Sequence, residues 1–132
     1  MSTKEGKKIS PHYDKAYDVR DLVMDCKTDF SMANVIKYFV RHSMKDGKKD
    51  LNKAIEYFNY EQNWRNQSEE YIGISYCDIV CNWRKFCSQY KDHNADWGEI
   101  IFSMLLYQYE PNEMRRIIIM NALNKEMSIY GG

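Results

Sequence analysis

The amino-acid sequence predicts an all-α fold, a single compact bundle of about six helices. Apolar residues recur at spacings of three and four, not two, along most of the chain. Residues suited to helix caps and turns punctuate them at intervals that fit helices of ordinary length. A chain of 132 residues with 44% hydrophobic side chains holds enough apolar material for one real core, and is too short to favour a second domain.

Residues 1–9 are Lys-rich and lack periodicity, which predicts a flexible arm ending where Pro11 fixes the backbone; residues 10–132 are expected to form the helical domain. Asp18 is placed to cap a first helix with Val19, Leu22, Val23 and Cys26 on one face. Ser31 is the cap candidate for a second, whose stripe is Met32, Val35, Ile36, Phe39 and Val40. Asp46-Gly47 breaks that helix, Gly47 being the residue best able to take a left-handed backbone. A third helix over about 48–63 turns Leu51, Ala54, Ile55 and Phe58 inward, with Lys53, Glu56 and Tyr57 flanking them. The short connection makes residues 31–63 an antiparallel helix hairpin.

After polar Asn63 to Glu70, Gly73 weakens the helical pattern, which returns over Tyr76 to Tyr90. Asp96 is placed to cap a fifth helix running through Gln108, and Pro111 suits the first turn of a sixth that carries Met114, Ile117, Ile118 and Leu123. The run Ile117-Ile118-Ile119-Met120 is apolar beyond one stripe, so this helix is expected to be central to the fold or buried against another copy of the chain, a homo-oligomer.

Lys+Arg and Asp+Glu are balanced at 19 each, which removes any global electrostatic case for wrapping nucleic acid or coating an anionic membrane; an anion site must be a local concentration of charge. No stretch approaches the roughly 18 to 20 apolar residues that span a bilayer, and Met1 to Lys8 lack the apolar centre of a signal peptide. A cytoplasmic protein is expected, with its four cysteines read as small buried apolar residues and not as disulfides. Cys77, Cys81, Cys87 and His93 do not complete a zinc site, so no metal is expected. The 11 tyrosines fall mostly at helical spacing beside apolar residues; they are core-edge rings or stacking platforms for bases.

The constellation that points to chemistry is Asn34, Lys37, Tyr38 and Arg41, which recur at intervals of three and four on one strip of the second helix, followed by Lys45, Lys48 and Lys49 around the turn. Arg offers a planar fork to phosphate, Lys a mobile point charge, Asn a donor and acceptor for a base edge, and Tyr a ring with a hydroxyl. The competing reading is a solvated lysine-rich helix end complementing the helix dipole.

Pro11-His12-Tyr13, then Asn34-Val35-Ile36-Lys37-Tyr38 with Arg41, then Lys45-Asp46-Gly47, Asp50-Leu51, Lys53-Ala54 and Tyr57 resemble a small tailed-bacteriophage family labelled SaV-like or nucleotide kinase-like, over about residues 10–63. The resemblance implies a helical fold, a nucleotide-related role and an infected bacterial host. It makes residues 10–63 the family-like core and 64–132 additional helices. Carried over by position, the implied nucleotide- or phosphate-binding residues are His12, Tyr13, Asn34, Lys37, Tyr38, Arg41 and Lys45, with Asp50 and Tyr57 in support. Other roles compete equally: His12 as a tie between the arm and the hairpin, Asp50 as a partner of Lys53 or a cap of the third helix, and Tyr38 and Tyr57 as core-edge rings.

The chain lacks the glycine-rich loop ending in Gly-Lys-Ser/Thr; Gly47-Lys48 has neither the upstream glycine nor the following hydroxyl. Glu110 and Glu113 form an E-x-x-E without the E-x-x-D that helical pyrophosphohydrolases use to hold magnesium. The expected function is therefore binding of a nucleotide or other phosphorylated small molecule, as in sequestering a nucleotide signal that a host uses in defence. The alternative is a nucleoside monophosphate kinase-like phosphotransferase without a classical phosphate loop, and only that alternative calls for ATP and Mg. A DNA-binding or structural interaction protein is a further alternative, nucleic acid being disfavoured by the charge balance.

Overall fold

In a computed structural model the described residues are 15–43, 46–67, 74–90, 93 and 95–130, with backbone alone at 66 and 67. Six helices run through them: α1 Val19–Asp25, α2 Phe30–His42, α3 Gly47–Gln67, α4 Tyr76–Cys87, α5 Ala95–Tyr109 and α6 Glu113–Ile129. The all-α reading holds. The expected arm and His12-Tyr13 lie outside the described residues.

Asp18 caps α1 as its sequence position suggests: its carboxylate accepts the N–H groups of Arg20 and Asp21, and the Asp21 side chain accepts the Asp18 N–H. The helix ends in a Schellman arrangement, with Lys27 N–H donating to the Met24 carbonyl, Thr28 N–H to the Val23 carbonyl, and Lys27 at φ +52°. Left-handed backbone at a lysine costs roughly 1–2 kcal/mol, so the corner it makes is held by other contacts.

The second helix starts one residue before the expected cap. Asp29, not Ser31, takes the extended capping conformation and accepts the Met32 N–H, while Ser31 is buried inside the first turn. The predicted stripe Met32, Val35, Ile36, Phe39 and Val40 is fully buried. It packs antiparallel on Leu51, Ala54 and Phe58 of α3, the most extensive helix contact in the molecule. Ile55 stands at the edge of that face, half-buried. The third helix runs to Gln67, past the expected end near Asn63, because Glu61 and Arg65 are drawn into a buried ion pair that favours continued winding.

Around this hairpin, α5 covers α2 through Ile101, Met104 and Leu105, α6 joins α3 to α5, and α4 closes the side between α1 and α5. Trp83 Nε1 donates to the Gly98 carbonyl at 2.8 Å, so α4 meets α5 where the missing side chain allows close approach. Asn112 caps α6, its side chain accepting the Arg115 N–H, so Pro111 stands just before the first turn and not in it; Asp96, read as a cap, lies within the first turn of α5. The cysteine reading is corrected in part. Cys26 is buried and Cys87 half-buried, but Cys77 and Cys81 are exposed, because α4 turns Ile79 and Phe86 inward and these two lie on another face. Of the apolar residues of α6, Ile119 and Leu123 are buried in the fold, whereas Met114, Ile117 and Ile118 are exposed, so within one chain the helix buries a single stripe. No helix among the described residues is long and apolar enough to cross a membrane.

Gly47 opens α3 at φ +44°, as the Asp46-Gly47 break suggested, and an added Cβ would stand 3.2 Å from the Tyr130 ring. Gly47→Ala is expected to cost about 1–2 kcal/mol, and Lys27→Gly, which relieves the same kind of backbone, to gain about 0.5 kcal/mol. Urea midpoints moving in opposite directions at constant slope would bear this out; a shift of the same sign in both would not.

Candidate functional site

The strip of α2 predicted to carry chemistry lies beside α3 on one face of the hairpin. Tyr38 and Tyr57 stack across it with centroids 6.0 Å apart and planes 7° from parallel, and Phe30 meets Tyr57 edge-on at 5.9 Å. Three cations surround the Tyr38 ring: Lys37 Nζ at 4.9 Å, the Arg41 guanidinium carbon at 5.4 Å and Lys53 Nζ at 5.8 Å from its centroid. Each lies within cation–π range of the ring, worth about 0.5–1 kcal/mol at a partly exposed site. Asn34 is half-buried and donates through Nδ2 to the Phe30 carbonyl, leaving its oxygen free to accept. Thus Asn34, Lys37, Tyr38, Arg41 and Tyr57 come together, while His12, Tyr13 and Lys45 lie outside the described residues. Lys48 and Lys49 are exposed at the start of α3.

Arg41 and Asp50 have a structural claim on each other. Arg41 Nε is 3.5 Å from the buried Asp50 carboxylate and makes no hydrogen bond, and its terminal nitrogen is 3.6 Å from Asp46, whose side chain is 45% exposed. Asp50 also accepts the Asp46 N–H, so of the two structural roles the sequence suggested, partner of Lys53 or cap of the third helix, it serves the second by fastening the start of α3. Lys37 and Lys53 form no ion pair among the described residues. Removing the guanidinium strands the Asp50 charge, so Arg41→Ala is expected to lower stability by about 1–3 kcal/mol. An unchanged urea midpoint would show that solvent satisfies Asp50.

At the opposite end of the same face a polar cluster is buried that the sequence reading missed. Arg65 donates from Nε to Glu61 at 3.0 Å and from its terminal nitrogen to Asp29 at 2.6 Å. Asp29 N–H donates to Gln108 Oε1, and Gln108 Nε2 donates to the Lys27 carbonyl. Glu61 is completely buried, and among the described residues no N–H donates to its Oε1. Burial and the neighbouring Asp29 carboxyl push Glu61 up to about 8, against the pull of Arg65. Asp29 and Glu61 form part of a cavity of about 310 Å³ walled by Phe30, Tyr60 and Trp64. The available signal was the spacing Lys53, Tyr57, Tyr60, Glu61, Trp64, which places charged and aromatic residues on one face of α3.

A second, larger cavity of about 410 Å³ lies elsewhere, bounded by His42, His93, Asp96, Trp97, Lys125 and Glu126. His42 Nδ1 meets the Tyr130 hydroxyl at 2.8 Å and its Nε2 lies 3.2 Å from Glu126. Burial lowers the pKa of His42 despite that carboxylate. None of the predicted site residues that are described lines this cavity. Among the described residues no group of His, Cys, Asp or Glu has the arrangement of a metal site.

The family match falls on the hairpin. A model for a family described as a protein of unknown function, DUF3310, matches residues 7–59. The stretch takes in α1, α2 and α3 as far as Asn59, so it contains the Tyr38–Tyr57 stack and its three cations and stops just before Tyr60, Glu61, Trp64 and Arg65. No curated protein and no solved structure matches the chain.

The raised Glu61 carboxyl gives a pH signature. Between its ordinary 4.5 and about 8 the folded chain keeps a proton that the unfolded chain releases, so this group favours folding below that window and loses its contribution as pH rises through it. Glu61→Gln is expected to flatten the fall in stability between pH 5 and 8, read from urea midpoints. Asp29, Arg65 and Tyr107 face the same carboxyl and remain in both proteins. Parallel pH curves for the two would overturn the assignment.

Proposed function

We propose that the α2–α3 hairpin binds a nucleotide or similar phosphorylated small molecule on the face carrying Tyr38 and Tyr57. The observation that carries the reading is the parallel tyrosine pair with Lys37, Arg41 and Lys53 gathered around one ring. Stacked rings offer a platform to a planar base, and cations beside them offer charge-assisted contacts to phosphate. Lys37 and Lys53 make the first contacts, since neither is spent in an ion pair among the described residues. Arg41 joins when phosphate displaces Asp46, which holds it at 3.6 Å from a largely solvated position. Asn34 supplies its oxygen to a ligand N–H or hydroxyl.

Binding without turnover is favoured over phosphotransfer. Asp50, the carboxylate nearest the cations, is engaged by Arg41 and the Asp46 N–H and is therefore a structural anchor, poorly placed to act as a general base. Sequestration of a nucleotide signal, in keeping with the resemblance to a tailed-phage family, asks only for affinity. The exposed Met114, Ile117 and Ile118 on α6 are the face proposed to meet another copy, and a monomer in sedimentation at micromolar concentration would remove that part.

Melting curves with nucleoside mono-, di- and triphosphates, cyclic nucleotides and ADP-ribose, followed by recovery of the ligand, test the reading. A ligand at a hundred times its dissociation constant stabilises by about 2.7 kcal/mol. Lys53→Ala and Lys37→Ala are expected to reduce that shift with little change in the ligand-free midpoint. Recovery of diphosphates from ATP and a monophosphate would replace binding by the kinase alternative, and no shift with any nucleotide would end both.

A further inference from the structure

The aromatic surface of the hairpin does not stop at the Tyr38–Tyr57 pair. Phe30 meets Tyr57 edge-on at 5.9 Å and also walls the cavity of about 310 Å³, where Tyr60 and Trp64 supply the other rings. Phe30, Tyr60 and Trp64 are 73%, 65% and 37% exposed, a cluster of bare rings that a monomer surface seldom carries without a ligand or partner. Tyr57 and Trp64 stand seven positions apart on α3, about 10 Å at the helical rise. A single base stacked on Tyr38 and Tyr57 leaves the rings of the cavity uncovered.

Charge is unevenly spread along this track. Lys37, Arg41 and Lys53 gather around the Tyr38 ring. Among the described residues no lysine or arginine lines the cavity, and Arg65, which lies against the Trp64 ring, is buried and held by Asp29 and Glu61. Glu61 has no surface of its own to offer, so what an occupant of the cavity meets is the three rings. A phosphate therefore finds its partners at the Tyr38 end and none in the cavity, where the buried carboxyl groups disfavour an anion. An uncharged planar ring fits there, because stacking on an aromatic side chain asks for a π-face and not for a charge or a particular hydrogen-bonding edge.

We infer that the ligand of this face is a dinucleotide with a terminal phosphate: the phosphate between Lys37 and Lys53, the first base on the Tyr38–Tyr57 pair, and the second base against Phe30, Tyr60 and Trp64. The inference rests on the nucleotide-binding reading, keeps the base of that reading on its tyrosine pair, and adds a second base to the ligand. The phosphodiester that links the two is left to solvent, so it asks for no further cation. A mononucleotide fills the first subsite alone, and Tyr60 and Trp64 are silent toward it. The second subsite accepts purine and pyrimidine alike, since it reads stacking and not base edges.

The full chain is titrated calorimetrically with a 5′-mononucleotide, the 5′-phosphorylated dinucleotide, the same dinucleotide without its terminal phosphate, and the 5′-phosphorylated tetranucleotide, each as an adenine and a uracil series. The titrations are repeated with Trp64→Leu, Tyr60→Leu and Lys53→Ala. In both series the phosphorylated dinucleotide is expected to bind about tenfold or more tightly than the mononucleotide, the effect of one further stacked base, and the tetranucleotide no more tightly than the dinucleotide. Trp64→Leu and Tyr60→Leu, both on the exposed wall, are each expected to weaken the dinucleotide several-fold and leave the mononucleotide unchanged. Lys53→Ala is expected to weaken every ligand with a terminal phosphate and spare the dinucleotide that lacks one. Equal affinities for mononucleotide and dinucleotide, or a dinucleotide advantage that survives both ring substitutions, would overturn the second base and leave the mononucleotide reading standing. A further tenfold gain with the tetranucleotide would overturn it in favour of a longer strand. A dimer in sedimentation that Trp64→Leu splits, without any dinucleotide advantage, would give the rings to a second copy of the chain. Absence of binding by every mononucleotide and dinucleotide would remove both readings.

Discussion

Asp29 joins three helices through three separate bonds. One carboxylate oxygen caps α2 by accepting the Met32 N–H, the other takes the Arg65 guanidinium of α3 at 2.6 Å, and its backbone N–H reaches Gln108 of α5. Gln108 returns to the Lys27 carbonyl, so the corner between α1 and α2 is clamped on both sides of Thr28. This is why a lysine at φ +52° persists at position 27: the strain of a left-handed side-chain residue is over-determined by contacts from α5. The corner in turn sets where α2 begins, and with it the register in which the α2 stripe meets α3.

The clamp carries an electrostatic cost. Glu61 stands beside Asp29 with Arg65 as their shared counter-charge, in surroundings that strip water from all three. Burial of an ion pair in such a place brings little net stability, and a second carboxylate makes it less favourable still. The purely apolar alternative, filling the space with aliphatic side chains, would hold α3 against α2 at least as well. This costly arrangement stands directly behind the cavity that Phe30, Tyr60 and Trp64 line.

Much of the fold was legible because α2 is a strongly amphipathic helix. Met32, Val35, Ile36, Phe39 and Val40 announce an interior face by spacing alone, and that face found the partner its short connection to α3 implied. Boundaries were less legible where two residues could serve as cap: Asp29 and Ser31 are both good caps, and only the tertiary pull of Arg65 and Gln108 decides between them. Helix α6 was less legible for another reason. Ile117, Ile118 and Ile119 are equally apolar in sequence, and which of them turns inward depends on the helix's rotation about its axis, set by its contacts with α3 and α5. Of the proposed site, the α2 half could be read from a local pattern. Glu61 could not, because an isolated glutamate on an otherwise polar helix reads as solvated, and its burial comes from Asp29 and Arg65 closing around it.

The two ends of the hairpin face differ in how their charges are committed, and the difference bears on what kind of ligand work this face suits. Near Tyr38 the cations outnumber the carboxylates that touch them, and those carboxylates, Asp46 and Asp50, are bound to Arg41 and to backbone. Near Glu61 the balance reverses, two carboxyl groups sharing one arginine. A phosphotransferase needs a base or metal beside the reacting phosphate, so that interactions strengthen as the transition state forms. Here the carboxyl whose pKa is raised, Glu61, is fully buried and lies some 12 Å along α3 from the cations. Under the proposed reading, such a layout suits holding a phosphorylated ligand better than transferring its phosphate, since Asp46 and Asp50, the carboxylates that touch Arg41, are engaged by it and by backbone.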